Sequence, residues 1–247
     1  MLTFSYLVAT INQPLVDSTL YTIDTYFGVS SPSIVLWFRT HEEWRTVFVH
    51  IYNTYNYQFP FVIFYFSSRG DVTQLQRFFM QFMIAAPLTI VLSGFFPAEG
   101  PYVWYHYTPD IELLKALNQL RELRHNIVDL TTQNGIVTIP SFHTVMACLY
   151  TYAFRNQRKI IFIPILILNI LMIFSCLPIG QHYFADLLAG IAVAAIGIGL
   201  ETLLFTYTLR HTADGRAFQK TSASDQKHYQ TPFALSLAKS DSETENQ

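Results

Sequence analysis

IVTIPSFHTVMACLY, residues 136–150, places a proline, a serine and a histidine at the front of an otherwise apolar run. GQHYFADLLAG, residues 180–190, puts a histidine and an aspartate ahead of another. Both the fold and the chemistry turn on whether these two openings meet.

The composition says what kind of runs they open. Of 247 residues, 51% are hydrophobic and 16% aromatic, but only 13% are charged. Soluble domains carry about 25% charged residues, so the deficit points to lipid. A net charge of −2 argues against a nucleic-acid partner, since phosphate backbones demand clustered Lys and Arg. Cys148 and Cys176 each fall inside an apolar run and read as small hydrophobes rather than as a disulfide framework.

Working outward, five candidate spanning helices can be marked, at 46–66, 78–96, 139–154, 160–180 and 185–209. The first is polar in its first half, with His50, Asn53, Asn56 and Gln58, and carries Pro60. Interior prolines such as Pro87 and Pro164 are tolerated where neighbouring helices satisfy the freed carbonyls. Residues 1–45 lack the basic start and cleavage site of a signal peptide. Their apolar part is about a dozen residues, short of the roughly 20 that a span requires, and reads as an interfacial or partial helix. The expected fold is therefore an all-α polytopic bundle of about five spans plus a short or incomplete N-terminal helix. Residues 46–210 would form the membrane domain, and the polar stretch 217–247 a disordered tail.

Basic residues in short links set the orientation. Arg69 and Arg77, then Arg155, Arg158 and Lys159, then Arg210 and Arg216, occupy three links that alternate correctly along the chain. All three links can lie on the cytoplasmic side, in a bacterial inner membrane or a plasma membrane. PSFH, 140–143, and QHYFAD, 181–186, then open their helices from the opposite, outer face. FPAEGPY, 96–102, and the loop carrying Arg121 and Arg124 lie on that face as well.

Helix starts are anion sites, because free N–H groups and the positive end of the dipole point outward there. Pro140 fits at a helix front, leaving Ser141 and the following amides to donate to phosphate oxygens. His182 and Asp186, four apart, share a helix face. A carboxylate on one imidazole nitrogen fixes the tautomer and frees the other nitrogen as nucleophile or base. His143 would supply the complementary proton, so the set suits phosphoryl transfer through a phosphohistidine. Singly, an interfacial histidine or a satisfied His–Asp pair is the plainer reading; ionisable groups at membrane depth are nonetheless functional by default. His50, His106, His125 and Glu201 have no partner that the sequence names. The aromatic richness of the first span and of YVWYHY, 102–107, reads as an interfacial belt.

PSFH followed after one cytoplasmic turn by GQHYFAD resembles the second and third signature motifs of the type 2 phosphatidic acid phosphatase superfamily, usually PSGH and SR-x5-H-x3-D. Phe142 in place of glycine, with FPAEGP leading into a long loop, is more similar to the branch of inositol phosphorylceramide synthases. The resemblance covers about residues 45–210. It implies a six-helix core, of which this chain would lack most of the first helix, and chemistry without a metal or other cofactor. His182 would attack phosphorus, Asp186 would orient it, and His143 would protonate the departing alkoxide and then deprotonate the acceptor. Ser141, Phe142 and their amides would hold phosphate oxygens.

Two departures stand out. Cys176 occupies the place of the motif's arginine, and the K-x6-RP motif is missing, since Arg69 and Arg77 are on the wrong face. Arg124, with Arg121 second, is the expected substitute clamp. The implied partners are a lipid phosphate and the bilayer; neither the lipid, nor the choice between water and an alcohol as acceptor, nor the oligomeric state follows from the sequence. A proton-coupled transporter using His182–Asp186 as a relay, or a non-catalytic lipid-binding relative, is the alternative.

Overall fold

A computed structural model describes residues 2–129 and 134–208; among them only helices and turns occur, with no strand. The tail expected at 217–247, with Arg210 and Arg216, lies outside the described residues. Residues Met1–Glu201 form one compact unit, and a second unit begins at Thr202.

Long apolar runs became long helices. The spans expected at 78–96, 160–180 and 185–209 are α6, Val72–Phe95, α10, Lys159–Ile179, and α11, Phe184–Thr208. Each is long and apolar enough to cross a membrane. The start of α6 is held by Asp71, whose side chain accepts from the Gln74 N–H at 3.0 Å. At its far end α10 stops on Gly180, in the left-handed conformation with φ 82°, which glycine adopts without a Cβ penalty.

The other two expected spans are shorter helices. Residues 46–66 fall in α4, Glu42–Asn53, and α5, Tyr55–Ser68, which are separated at Thr54. The Thr54 N–H and hydroxyl both turn back on the Ile51 carbonyl, tightening the turn where the helix would continue. The run after PSFH is α9, Phe142–Ala153. Its 12 residues extend about 18 Å, and it starts two residues after Pro140 because Ser141 is the N-cap.

Residues 1–45 form three helices, α1, Leu2–Ala9, α2, Asp17–Tyr26, and α3, Ser31–Thr40. In the long connection after α6 lie α7, Pro101–Trp104, and α8, Ile111–Arg124. The main core runs along the seams of α5, α6, α9, α10 and α11, through Val62, Phe66, Phe78, Val145, Leu149, Met172 and Val193, all buried. Between apolar helices in lipid, close packing rather than transfer from water supplies the attraction, and glycine permits the closest approach. A Cβ at Gly190 would lie 2.8 Å from both the Ser141 carbonyl oxygen and the Thr144 Cβ. That contact seats α11 against the start of α9.

Glu201 does have a partner. It is fully buried and takes a two-point contact from Arg77, Nε to Oε1 at 2.7 Å and Nη2 to Oε2 at 3.2 Å, with the Gln81 amide at 2.9 Å. Seventeen residues beyond the start of α11, this pair is about 25 Å along the helix from it. It ties α6 to α11 at the end away from His182.

Candidate active site

The two openings meet. The Ser141 N–H donates to the Asp186 carbonyl at 3.0 Å, so the starts of α9 and α11 are joined by their backbones as well as by the Gly190 contact. Ser141 is wholly buried. Its hydroxyl accepts from the Thr144 N–H at 3.4 Å, as an N-cap does, and lies 3.9 Å from the Cys176 thiol. With both its N–H and its hydroxyl engaged inside the protein, Ser141 shapes the helix start, and the amides left for a ligand are those of Phe142 and His143. These belong to the first turn, where no carbonyl of the same helix can reach them.

His182 and Asp186 touch, but not as two residues on one helical face. Because α11 begins at Phe184, Tyr183 is its N-cap and Asp186 the third helical residue. The Asp186 carboxylate folds back over the helix start, accepting from the Tyr183 N–H at 2.9 Å and from His182 Nδ1 at 3.3 Å. One half of a capping box is thereby used to hold an imidazole. Since a carboxylate only accepts, the proton is assigned to Nδ1 and His182 Nε2 carries a free lone pair.

His143, the second residue of α9, faces His182 with ring centroids 6.4 Å apart. Tyr52 of α4 stacks on it at 3.8 Å and 24°, while the Tyr55 ring of α5 meets it edge-on at 4.5 Å. The Tyr52 hydroxyl donates to the Gln181 side-chain carbonyl, so one phenol touches the residue before His182 and the ring of His143 together. His143 Nε2 and Asp186 Oδ1 are buried with no hydrogen-bond partner among the described residues. Buried polar atoms normally find one, and for His143 Nε2 a ligand in the cavity that His143 lines would supply it.

Both histidines and Phe142 line a cavity of about 740 Å³. Tyr52, Asn53, Tyr55, Asn56 and Gln181 give it a polar lining, and Phe59, Phe82, Ile90 and Met146 an apolar one. None of the residues lining it is Lys or Arg. Arg121 instead pairs with Glu99, whose carboxylate holds its guanidinium proton more tightly than usual. Arg124 donates to the Gln13 carbonyl at 2.9 Å. The substitute clamp expected from either arginine is therefore not brought to the histidines, and neither is Cys176, which packs behind Ser141.

Sequence reasoning missed four contributors: Tyr52, Gln181, Asp17 and Asp24. Tyr52 was readable only as belt aromatic, and Gln181 as a neighbour of the motif histidine. Asp17 and Asp24, both on α2 and both buried, are more than 150 positions from the motif they hold, and no local spacing could pair them with it. The arrangement as a whole offers an imidazole lone pair, a carboxylate that orients it, a second imidazole, two free helix-start amides and a half-apolar cavity.

The family model of the PAP2 superfamily matches residues 18–200. No curated protein and no solved structure matches the chain. The family match spans well over half of the sequence and takes in both histidine openings: the chain belongs to the PAP2 superfamily.

Proposed function

We propose that this protein is an integral membrane lipid phosphatase or phosphotransferase that works through a phosphohistidine at His182. The observation that carries the reading is the facing pair His143 and His182, with Asp186 on the far nitrogen of His182. In-line displacement puts the nucleophile about 3 Å from phosphorus, opposite the covalent bond to the leaving oxygen, with the general acid beyond that oxygen. Two facing imidazoles suit the places of nucleophile and acid.

His182 Nε2 attacks phosphorus, and the bond from phosphorus to the lipid oxygen breaks as His143 hands its proton to the alkoxide. Asp186 keeps the Nδ1 proton in place and offsets the positive charge that grows on the ring. The Phe142 and His143 amides, at the positive end of the α9 dipole, receive phosphoryl oxygens. In the second half, the acceptor O–H gives its proton to His143 as its oxygen attacks phosphorus. The phosphorus–nitrogen bond then breaks and His182 is restored. The basic residues of three short links support a site on the non-cytoplasmic face.

An alcohol acceptor, as in the inositolphosphotransferase branch, is the second reading. The amides of Asn53, Asn56 and Gln181, which line the same cavity as His143, support it, since such groups match the hydroxyls of a polyol. The deciding experiment incubates purified protein, with chelator present, with a labelled lipid phosphate and a panel of alcohols. Free phosphate marks a phosphatase, and labelled product a transferase. No turnover of any lipid phosphate would leave His182–Asp186 as a relay or lipid-binding pair and refute the proposal.

A further inference from the structure

The loop that carries His182 is gripped from outside by α2. Asp24 of α2 accepts from the N–H groups of Phe184 and Ala185, one on each carboxylate oxygen, at 3.0 Å each. Ser31, at the start of α3, contributes a longer contact of 3.4 Å to the same carboxylate. These two N–H groups open α11 and have no carbonyl of their own helix to meet. Asp24 thus caps α11 from 160 residues away in sequence, with a charge of the sign that the N-terminal end of a helix favours.

Asp17, two turns earlier on α2, does the same for the neighbouring strand of chain. Its carboxylate accepts from the Glu99 and Gly100 N–H groups at 3.0 and 2.9 Å, and from the Tyr183 hydroxyl at 2.9 Å. It therefore joins FPAEGP to the residue next to His182. Gly100 takes φ 108° there, a conformation that other residues rarely adopt. Tyr183 is fully buried, and Asp17 and Asp24 are 6% and 0% exposed. Burial is also the main reason that the Asp24 carboxyl is held above its usual range, with the N–H contacts opposing it.

We propose that Asp24 and Asp17 are positioning residues for the nucleophile, and that α2 is a built-in part of the catalytic site rather than an appendage to the bundle. Neither carboxylate is among the residues lining the cavity, so neither meets substrate. They act through residues 183–185, Asp24 on the backbone N–H groups of Phe184 and Ala185 and Asp17 on the Tyr183 hydroxyl, and that stretch of backbone sets where Asp186 reaches back to His182. If that backbone loosens, His182 loses its fixed tautomer and its line to phosphorus, while the cavity that binds the lipid is unchanged. The inference rests on the phosphohistidine reading for its kinetic consequence, but not for its structural one.

Two readouts separate these. In full-length protein labelled with ¹⁵N-histidine, in detergent micelles, the His182 resonance is assigned by its loss in His182→Gln. In Asp24→Asn it is expected to move towards a mixture of tautomers while the other histidines stay put. With a lipid phosphate substrate, the same variant is expected to lose ten- to a hundredfold in kcat with KM within about threefold, and Asp24→Glu to recover part of the loss. A His182 resonance unchanged in Asp24→Asn overturns the proposal, whatever happens to melting temperature, because a merely structural carboxylate would lower stability and leave the tautomer alone. Should Asp24→Asn not fold, Tyr183→Phe removes only the hydroxyl held by Asp17, and an unmoved His182 signal there is equally fatal. If wild-type protein turns over no lipid phosphate, the functional reading fails and the resonance still decides this one.

Discussion

His143 and His182 face each other across 6.4 Å, each carried at the start of a different helix. Their separation is fixed from behind by the Ser141 N–H on the Asp186 carbonyl and by the close seat of Gly190 on α9. A pair held this way can divide acid and nucleophile between two rings.

If His143 protonates the leaving alkoxide, its loss should matter most for poor leaving groups. His143→Gln is expected to lower kcat by 10²- to 10⁴-fold with an aliphatic lipid phosphate, the usual range for a general acid. With a nitrophenyl phosphate, whose phenolate leaves unaided, the loss should shrink to about tenfold or less. Equal losses on both substrates would remove His143 from that role.

Tyr52 separates packing from hydrogen bonding. Tyr52→Phe keeps the ring on His143 and loses only the bond to Gln181, and is expected to cost a few-fold in kcat. Tyr52→Ala removes a buried ring, a change that costs roughly 3–5 kcal/mol in a core, and should reduce kcat by a further order of magnitude by freeing His143. Steady-state kinetics and melting temperatures of both variants check this.

Turnover should be indifferent to the arginines of α8. Arg124→Ala is expected to stay within about threefold of wild type in kcat, because its guanidinium serves the Gln13 carbonyl. Arg121→Ala should do the same, and its half-exposed pair with Glu99 should be worth no more than about 1 kcal/mol of stability. A hundredfold rise in KM for either would restore it as a phosphate clamp.

At the opposite end, Arg77→Ala removes the two-point contact that the fully buried Glu201 carboxylate takes from this guanidinium. Breaking such a pair costs roughly 3–5 kcal/mol, so a clear drop in melting temperature is expected. Because the pair is about 25 Å from the start of α11, kcat of the folded fraction should be unchanged.

Much of this was legible in the sequence, and what was not has a common cause. The helices α6, α10 and α11 follow from long apolar runs, whose ends shift by one residue except at the start of α6, which lies six residues earlier, at Val72. The meeting of PSFH with HYFAD follows from counting helices between them. The break at Thr54 has no proline or glycine to mark it, and Trp44, Phe48 and Tyr52, spaced four apart along one face of α4, do not by themselves say which ring meets His143. Asp17 and Asp24 hold mainly backbone amides, which every residue carries, and the Tyr183 hydroxyl that Asp17 also holds has nothing in its neighbourhood of sequence to betray the partner. Arg124 shows the reverse case: it stands shortly before α9 in sequence, but its guanidinium donates to the Gln13 carbonyl ahead of α2.

The central claim, a phosphohistidine at His182, is tested most directly by rapid quench. Protein mixed with a ³²P-labelled lipid phosphate and stopped in alkali within one turnover should carry label that is stable to base and labile to acid. That label should map to the peptide containing His182 and be absent from His182→Ala, whose turnover should fall by at least 10³-fold. Wild-type turnover in His182→Ala, or full turnover of the native protein with no covalent label at any time, would contradict the account.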